Sequence, residues 1–323
     1  MIQRTVLTGA LVVAALVAAV GAWLTFRHSA APQPSPSPAV TKTARAQPVS
    51  RHPTGPLIGI FTKGVLTSWK PEQTFGALVG ARIRLGLGYT KQGSGFPHRF
   101  AQAAWANGGE AVIQIQPETE PLRAIAAGRY DLWIRTYASE VRAFGHPVII
   151  GFAHEMNGGW YPWGKQPGAF VAAWRHIVTL FRQQGATNVT WLWTPNSGGK
   201  NPSSLRQYWP GGKYVNWVGL DGYYYDPADR FSQIFTPSIR VIRKLTRDPI
   251  LLSETAVGTL AGQARLIPDL CAGVKRHHLV GLIWFDVHQY APPIHQDWQL
   301  EGHPAAIAAL RRGLQTLGAQ KAP

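Results

Sequence analysis

The chain has 323 residues, of which 45% are hydrophobic, and it contains 13 tryptophans and a single cysteine. One cysteine excludes an internal disulfide, and the hydrophobic share is sufficient for a large buried core. The formal net charge is +16, but the basic residues are dispersed rather than gathered into a stripe or a recognised nucleic-acid-binding module. We therefore expect a solvated positive surface and no nucleic-acid partner.

Residues 1–30 predict export from the cytoplasm. The stretch from Thr5 to Phe26 carries no charged side chain and has one arginine on each side. Its length favours a retained membrane anchor, since a span needs roughly 20 apolar residues whereas the apolar region of a signal peptide has about 7–15. Val20-Gly21-Ala22 would also serve as a cleavage site, so a removed signal peptide stays open. In either case the remainder of the chain is expected outside the cytoplasm.

A proline-rich linker is predicted to follow at residues 31–56. This stretch contains seven prolines together with Ser, Thr, Gln and Ala, a composition typical of an extended, semi-rigid spacer. Residues 57–323 then form one folded domain, whose length suits a single large α/β barrel. We expect this domain to be a monomer.

Short apolar runs rich in β-branched residues recur along the domain and predict eight strands. The runs are Leu57–Phe61, Arg82–Leu87, Ala111–Gln116, Val148–Ala153, Val189–Trp193, Trp217–Tyr223, Ile250–Ser253 and Val280–Phe285. Segments with apolar residues at three- and four-residue spacing lie between them and predict helices. Among these segments are Phe170–Arg182, Phe231–Leu245, Leu260–Lys275 and Ala305–Leu317.

The alternation of buried strands with amphipathic helices predicts parallel βαβ units. Eight such units in about 260 residues predict a closed (β/α)8 TIM barrel. An open doubly wound sheet is the alternative, but that fold usually has fewer strands, and no G-x-G-x-x-G sequence follows the first strand here.

Active-site residues of such a barrel lie at the carboxyl ends of its strands, so the polar residues that close each run are the candidates. Glu155 follows the fourth run and Glu254 follows the seventh. Carboxyls on these strands would face each other across the barrel mouth, where one could protonate a glycosidic oxygen while the other attacks the anomeric carbon. For either glutamate alone, an ion pair with Arg or Lys at a strand end is the purely structural alternative.

Four segments resemble those of glycoside hydrolase family 26, whose best-known members are β-mannanases. The most specific is GFAHEMNGGWYPWG at residues 151–164, which is similar to the acid/base segment of the family. Residues 208–226, 249–258 and 283–288 are similar to segments around its sixth strand, its nucleophile and its eighth strand. The resemblance covers nearly the whole domain and implies a retaining glycoside hydrolase that uses no cofactor.

By position, the resemblance implies that Glu155 is the general acid/base and Glu254 the nucleophile. The carboxyl groups of a retaining enzyme are about 5–5.5 Å apart, and we expect that separation here. The second carboxylate and an apolar tryptophan surround are expected to raise the pKa of Glu155 and keep it protonated.

The resemblance also implies a set of substrate-binding residues around the two glutamates. Its members are His154, Asn157, Trp160, Trp163, Trp193, Tyr223 and Trp284, with Tyr161 and Asn196 as further candidates for the lining of the cleft. His154 is expected to contact the sugar in the cleaved subsite, and Trp160 and Trp284 are expected to wall that subsite. Tyr223 is expected to hydrogen-bond the nucleophile and orient it.

The sequence departs from the family at residue 151. Many members carry arginine three positions before the histidine that precedes the acid/base, whereas this chain has Gly151 there. An arginine at that point would support the cluster of carboxylates. Arg82 or Arg84, on the second predicted strand, could take its place if either side chain points into the mouth.

No metal is expected. His154-Glu155 begins the zinc-protease motif H-E-x-x-H, but residue 158 is glycine and the motif is incomplete.

The expected partner is a polysaccharide. The resemblance implies β-1,4-mannan first, with β-1,3-xylan and mixed-linkage β-glucan as other substrates of the family. A polysaccharide of the cell's own envelope stays open, and so does a non-catalytic glycan-binding protein on the same fold. The presence of both glutamates favours the enzyme, because binding alone does not require them.

Overall fold

The computed structural model describes residues 55–63, 66–197, 201–289 and 296–322. The apolar N-terminal segment lies outside these ranges, as does the proline-rich linker up to residue 54. Within the described residues, none of the helices is both long enough and apolar enough to cross a membrane.

Eight parallel strands form a closed barrel in the order of the chain, which confirms the predicted (β/α)8 TIM barrel. The strands are β1 (Leu57–Phe61), β2 (Leu85–Lys91), β3 (Glu110–Gln116), β4 (Val148–Phe152), β5 (Val189–Trp193), β6 (Trp217–Tyr224), β7 (Ile250–Val257) and β8 (Gly281–Phe285). A small antiparallel pair, β9 (His288–Gln289) and β10 (Gln296–Asp297), follows β8 in the chain.

Two strand boundaries differ from the prediction in ways that affect the site. β2 begins at Leu85 rather than at Arg82, because Arg82 belongs to the connection that enters the barrel and its amide donates to the carbonyl of Gln320 at 2.8 Å. β7 continues to Val257, so Glu254 lies inside this strand rather than after it.

Helices surround the barrel. They are α1 (Lys70–Val79), α2 (His98–Ala106), α3 (Leu122–Ala126), α4 (Asp131–Phe144), α5 (Pro167–Gln183), α6 (Phe231–Ile234), α7 (Thr236–Arg243), α8 (Gln263–Arg276) and α9 (Pro304–Leu317). The predicted helix Phe231–Leu245 is divided into α6 and α7. Pro237 explains the division, because it has no N–H with which to continue the hydrogen bonding of α6.

Strand side chains alternate between the barrel interior and the helix layer. The interior cluster consists of Leu57, Leu85, Leu87, Val112, Ile149, Leu192, Trp217, Leu251 and Ile283. The opposite faces of the strands pack with the helices in a second, larger core. Nearer the mouth the buried residues become polar and include Gln114, Thr194 and Asp221. The apolar layer closes the barrel, and the polar layer above it carries the site.

Candidate active site

The turn that follows β4 directs Glu155 into the barrel mouth. Ala153 and Glu155 both adopt a left-handed backbone, with φ of 49° and 51°, which costs a residue that has a Cβ roughly 1–2 kcal/mol. The amide of Glu155 donates to the carbonyl of Thr194 at 2.7 Å, and the indole of Trp163 donates to the carbonyl of His154 at 2.7 Å. These contacts from outside the turn hold the unfavourable backbone conformation in place.

The carboxyl of Glu155 is nearly enclosed, with only 7% of the residue exposed. Its Oε2 accepts a hydrogen bond from the indole N–H of Trp160 at 2.6 Å, and its Oε1 accepts one from the side-chain amide of Asn196 at 2.6 Å. Asn157, predicted to bind substrate, instead pairs both ends of its amide with the backbone of Asn196, at 2.9 and 3.1 Å. Asn157 therefore holds the residue that orients Glu155.

Glu254 is equally enclosed, with 6% of the residue exposed, but its donors are phenols. The hydroxyl of Tyr223 donates to Oε2 at 2.7 Å, so the contact predicted between these residues is present. The hydroxyl of Tyr89 donates to Oε1. The sequence analysis missed Tyr89 because it placed the second strand too early. With β2 beginning at Leu85, the alternation through Leu87 brings Tyr89 into the interior.

A third carboxyl lies beside the pair. Asp221 of β6 is the register partner of Glu254 in β7, and it is fully buried. The hydroxyl of Ser253 donates to its Oδ1 at 2.5 Å. Burial, and then the charges of Glu254 and Glu155, raise the pKa of Asp221 well above its usual value. Its surroundings therefore favour the neutral acid over the carboxylate, an effect that no pattern in the sequence indicated.

The two glutamates share one electrostatic environment. Burial raises the pKa of Glu155, and the N–H donors of Asn196 and Trp160 oppose the rise. Burial also raises the pKa of Glu254 to about 8, the charge of Glu155 adds to the rise, and the hydroxyls of Tyr89 and Tyr223 oppose it. The predicted rise for Glu155 is present, but burial causes it, and the charge of the neighbouring carboxylate acts on Glu254 instead. Such a pair titrates as a unit, and it keeps a proton at pH values where isolated glutamates have lost theirs.

His154 packs against the same pair. Its Nε2 is 3.2 Å from the hydroxyl of Tyr161 and 4.0 Å from Oε1 of Glu254. Burial lowers the pKa of His154 to about 3, so the imidazole is neutral and supplies no positive charge. The residue is enclosed, and the sugar contact expected of it stays a prediction.

Trp160 is the predicted substrate-binding tryptophan that faces solvent, with 58% of the residue exposed. Since its N–H is bonded to Glu155, its ring is fixed directly beside the acid/base candidate. An exposed, fixed aromatic face at this point suits the C–H face of a sugar ring.

Three tryptophans predicted to bind substrate are buried instead: Trp163, Trp193 and Trp284. Trp284 faces the helix layer, because its strand neighbour Ile283 belongs to the interior cluster and side chains alternate along β8. Its indole N–H donates to the carbonyl of Trp298 at 3.0 Å. Phe285 takes the inward position that the prediction gave to Trp284.

Trp193 and Trp163 each pack against a neighbouring aromatic ring. Leu192 occupies the interior position in β5, so Trp193 points outward and packs edge-on against Trp209 with ring centroids 5.1 Å apart. Trp163 stacks on Tyr161, with centroids 4.4 Å apart and planes 10° apart. Together with its bond to His154, this stacking braces the turn that carries Glu155.

The prediction that Arg82 or Arg84 replaces an arginine at residue 151 is wrong. Both residues precede β2 and therefore lie at the end of the barrel opposite the mouth. There, burial raises the pKa of Glu110 to about 7, and the positive charge of Arg84 opposes that rise. Across the described residues, no group of three or more His, Cys, Asp or Glu side chains is arranged to hold a metal ion.

A closed barrel with two enclosed carboxyls at its mouth, one after β4 and one in β7, has the arrangement of glycoside hydrolases that work with paired carboxyls. Residues 117–249, which include Glu155, match the family described as Glycosyl hydrolase family 26. The resemblance to this family predicted from the sequence is thereby confirmed.

Two relatives illustrate the range of enzymes to which the chain is similar. Endoglucanase H of Acetivibrio thermocellus is 28% identical over 233 residues, which are 67% of this chain and 25% of that protein. Mannan endo-1,4-beta-mannosidase A and B of Caldalkalibacillus mannanilyticus is 32% identical over 98 residues, 27% of this chain and 18% of that protein. The chain therefore spans a quarter or less of the length of these relatives.

Solved structures agree on the fold. A family 26 β-mannanase of Bacteroides ovatus has a TM-score of 0.62 at 15% identity, covering 83% of this chain and 90% of that one. A modular endo-β-1,4-mannanase of Cellulomonas fimi has a TM-score of 0.63 at 18% identity, covering 83% of this chain and 71% of that one.

Proposed function

We propose that the protein is a retaining glycoside hydrolase that cleaves internal bonds of β-1,4-mannan, with Glu155 as acid/base and Glu254 as nucleophile. The observation that carries the proposal is the pair of enclosed carboxyls at the mouth, each with a hydrogen-bond donor on both oxygens. A carboxyl that only closed a strand end would be expected to pair with Arg or Lys. Within the described ranges, neither glutamate forms such an ion pair.

The surroundings of the two glutamates support the proposed roles. Glu254 sits in β7, which pairs with a strand on each side and whose register shifts beside Glu254. The carboxyl lies between two phenol donors, which stabilise a carboxylate and fix its direction. Glu155 sits on a turn beside the exposed Trp160, next to the aromatic face on which we expect the sugar ring to stack. The first residue therefore suits attack on carbon, and the second suits exchange of a proton with substrate and water.

The reaction then takes two steps. An oxygen of Glu254 attacks the anomeric carbon while Glu155 gives its proton to the departing glycosidic oxygen, and a covalent glycosyl ester forms on Glu254. Glu155, now ionised, removes a proton from water, and this water attacks the same carbon from the opposite side. The ester bond breaks, Glu254 returns to a carboxylate, and the two inversions give retention of configuration.

The substrate class follows the relatives. Those similar to this chain are named for mannan, for β-1,3-xylan and as an endoglucanase. Mannan is the substrate proposed here, because it is named for several relatives and for the structures that share the fold.

The test is a panel of polysaccharides incubated with the full-length chain: β-1,4-mannan, β-1,3-xylan, mixed-linkage β-glucan and cellulose. Released oligosaccharides are measured by mass spectrometry, with Glu155→Gln and Glu254→Gln as matched variants. Cleavage of mannan that both substitutions abolish supports the proposal. Cleavage of a different polymer corrects the substrate, while tight binding of a polymer without cleavage identifies a glycan-binding protein.

We also propose that the enzyme acts outside the cytoplasm as a monomer, attached through its N-terminal apolar segment or released after cleavage. The support is the uncharged stretch from Thr5 to Phe26 and the proline-rich sequence that follows it. N-terminal sequencing of the protein from membrane and culture fractions distinguishes the two cases. An intact N-terminus in the cytoplasmic fraction alone would contradict both.

A further inference from the structure

Glu254 receives a second hydrogen bond from a strand on the other side of the mouth. Tyr89 lies at the carboxyl end of β2 and its hydroxyl donates to Oε1, while the hydroxyl of Tyr223 in β6 donates to Oε2. Each oxygen of the carboxyl therefore has one phenol donor. The two donors come from different strands, so together they fix both the rotation and the position of the carboxyl.

The ring of Tyr89 is held independently of this bond. It packs edge-to-face on Phe61, with centroids 4.9 Å apart and planes at 87°, and its centroid is 5.2 Å from that of His154. This packing fixes the ring and therefore the position of its hydroxyl beside Glu254. Burial, and then the charge of Glu254, raise the pKa of Tyr89 well above its usual value. The hydroxyl therefore stays protonated and can donate a hydrogen bond.

β4 contributes no positively charged side chain at residue 151. Gly151 of β4 has no side chain, and the space beside it is taken by Gln114, since a Cβ at residue 151 would lie 2.0 Å from Oε1 of Gln114. Gln114 in turn donates from its amide to the hydroxyl of Thr194 at 2.9 Å. This part of the mouth is therefore filled by neutral polar groups.

The groups that surround Glu254 are otherwise neutral or acidic. They come from the turn after β4 and from β6, and they are Glu155, His154, Tyr161, Asp221 and Tyr223. Burial lowers the pKa of His154 to about 3, so this neighbour is neutral as well. In the part of the chain that the structure describes, no Lys or Arg forms an ion pair with any of the three carboxyls of the site.

We propose that Tyr89 is a positioning residue of the nucleophile, which adds a second neutral hydrogen-bond donor to that of Tyr223 at a carboxyl without a Lys or Arg partner among the described residues. The inference rests on the proposed function of the site. Its physical basis is that a donor stabilises a carboxylate more than a carboxylic acid, so each phenol favours the ionised, attacking form of Glu254. When one oxygen becomes the ester oxygen, the donor on the other oxygen remains and holds the carbonyl.

The first experiment compares Tyr89→Phe with the wild type and with Tyr137→Phe. The phenylalanine keeps the ring packing and removes only the hydroxyl. Tyr137 is a matched control, because it is also buried but packs between Phe96 and Phe181 in the helix layer. We expect Tyr89→Phe to lower kcat by about 10–100-fold with KM changed less than about threefold, and to move the acid limb of the pH profile of kcat/KM to higher pH. Tyr137→Phe should keep the wild-type profile.

The second experiment requires no turnover. The carboxyl carbons of glutamate are labelled with ¹³C, the resonance of Glu254 is assigned with Glu254→Gln, and its titration is followed in the wild type and in Tyr89→Phe. Loss of a donor to the carboxylate should raise the pKa of Glu254. If the panel of polysaccharides shows no cleavage, the proposed reaction fails but this titration still decides the contact. An unchanged titration, or unchanged kcat and acid limb in an active enzyme, would overturn the role of Tyr89.

Discussion

The turn after β4 and the strand β7 each present one glutamate to the same mouth, but by opposite means. In the turn, Ala153 and Glu155 have a left-handed backbone and the carboxyl accepts bonds from two N–H groups, one of them on the exposed Trp160. In β7 the backbone is extended and the carboxyl accepts bonds from two buried phenols.

The difference matches the two tasks that we propose for these residues. A group that gives a proton to a leaving oxygen and then takes one from water must reach both, which a turn at the edge of the mouth allows. A group that forms a bond to carbon must keep one position within a few tenths of an ångström, and a strand paired on both sides provides that rigidity. The donors follow the same division, so changes to them are expected to affect opposite limbs of the pH profile.

The largest expected effect is loss of either carboxyl. Glu254→Ala and Glu155→Ala should each reduce cleavage of polymer by at least about 10⁴-fold. With an activated aryl glycoside and added azide, Glu254→Ala should form a glycosyl azide of inverted configuration, because azide attacks from the side that the nucleophile has vacated. Glu155→Ala should form the azide of retained configuration, because azide then attacks the glycosyl ester without a general base. NMR of the products assigns each configuration, and the reverse outcome would exchange the two roles.

Removal of the second phenol should come next in size. Tyr223→Phe keeps the ring, which stacks on Trp298 with centroids 4.5 Å apart, but it removes the donor to Oε2 of Glu254. We expect kcat/KM to fall by about 10–100-fold. The pKa of Glu254 should rise and the acid limb should move to higher pH, since the nucleophile must be ionised to attack. Steady-state kinetics from pH 4 to 10 measures this, and a shift confined to the alkaline limb would contradict the assignment.

Trp160→Phe should act on the other limb. The substitution removes the N–H donor to Glu155, which opposes the rise in the pKa of that residue. The pKa of Glu155 should therefore rise further, and the acid form should persist to higher pH. We expect the alkaline limb of kcat/KM to move upward while the acid limb stays in place, with an activity loss of about tenfold at the optimum. A kinetic profile in which both limbs shift together would show that the two glutamates do not have separate donors.

The smallest effect concerns stability. Burial raises the pKa of Glu254 to about 8 in the folded protein, above the value near 4.5 that an exposed glutamate has. Because Glu254 and Glu155 titrate as a unit, the pair binds more protons in the folded state than in the unfolded state between these pH values. The free energy of unfolding contributed by the pair therefore falls as pH rises from about 4.5 to 8. Glu254→Gln removes the titration and should unfold at a higher temperature than the wild type at pH 9, with a smaller difference at pH 5. Calorimetry at both pH values checks this, and an equal difference at both would contradict it.

The sequence by itself determined the architecture and the two central residues. Eight apolar runs separated by amphipathic segments predict a (β/α)8 barrel, because a parallel strand must be apolar on both faces and needs a helix to return the chain. The barrel then directs attention to the carboxyl ends of its strands, where Glu155 and Glu254 stand out as the glutamates of the fourth and seventh units.

Only the tertiary structure decided which neighbouring side chains contact those two glutamates. The register of a strand with its neighbours decides which of its faces turns to the barrel interior, and a shift of one position exchanges the two faces. The predicted bounds of β5 match the structure, yet they did not reveal that Trp193 points outward, because register is set by pairing with residues far along the chain. For the same reason the local pattern did not reveal that Tyr89 and Phe285 point inward and that Trp284 points outward. The raised pKa of Asp221 likewise depends on burial beside two other carboxyls, which residues far apart in the chain create only when the barrel closes.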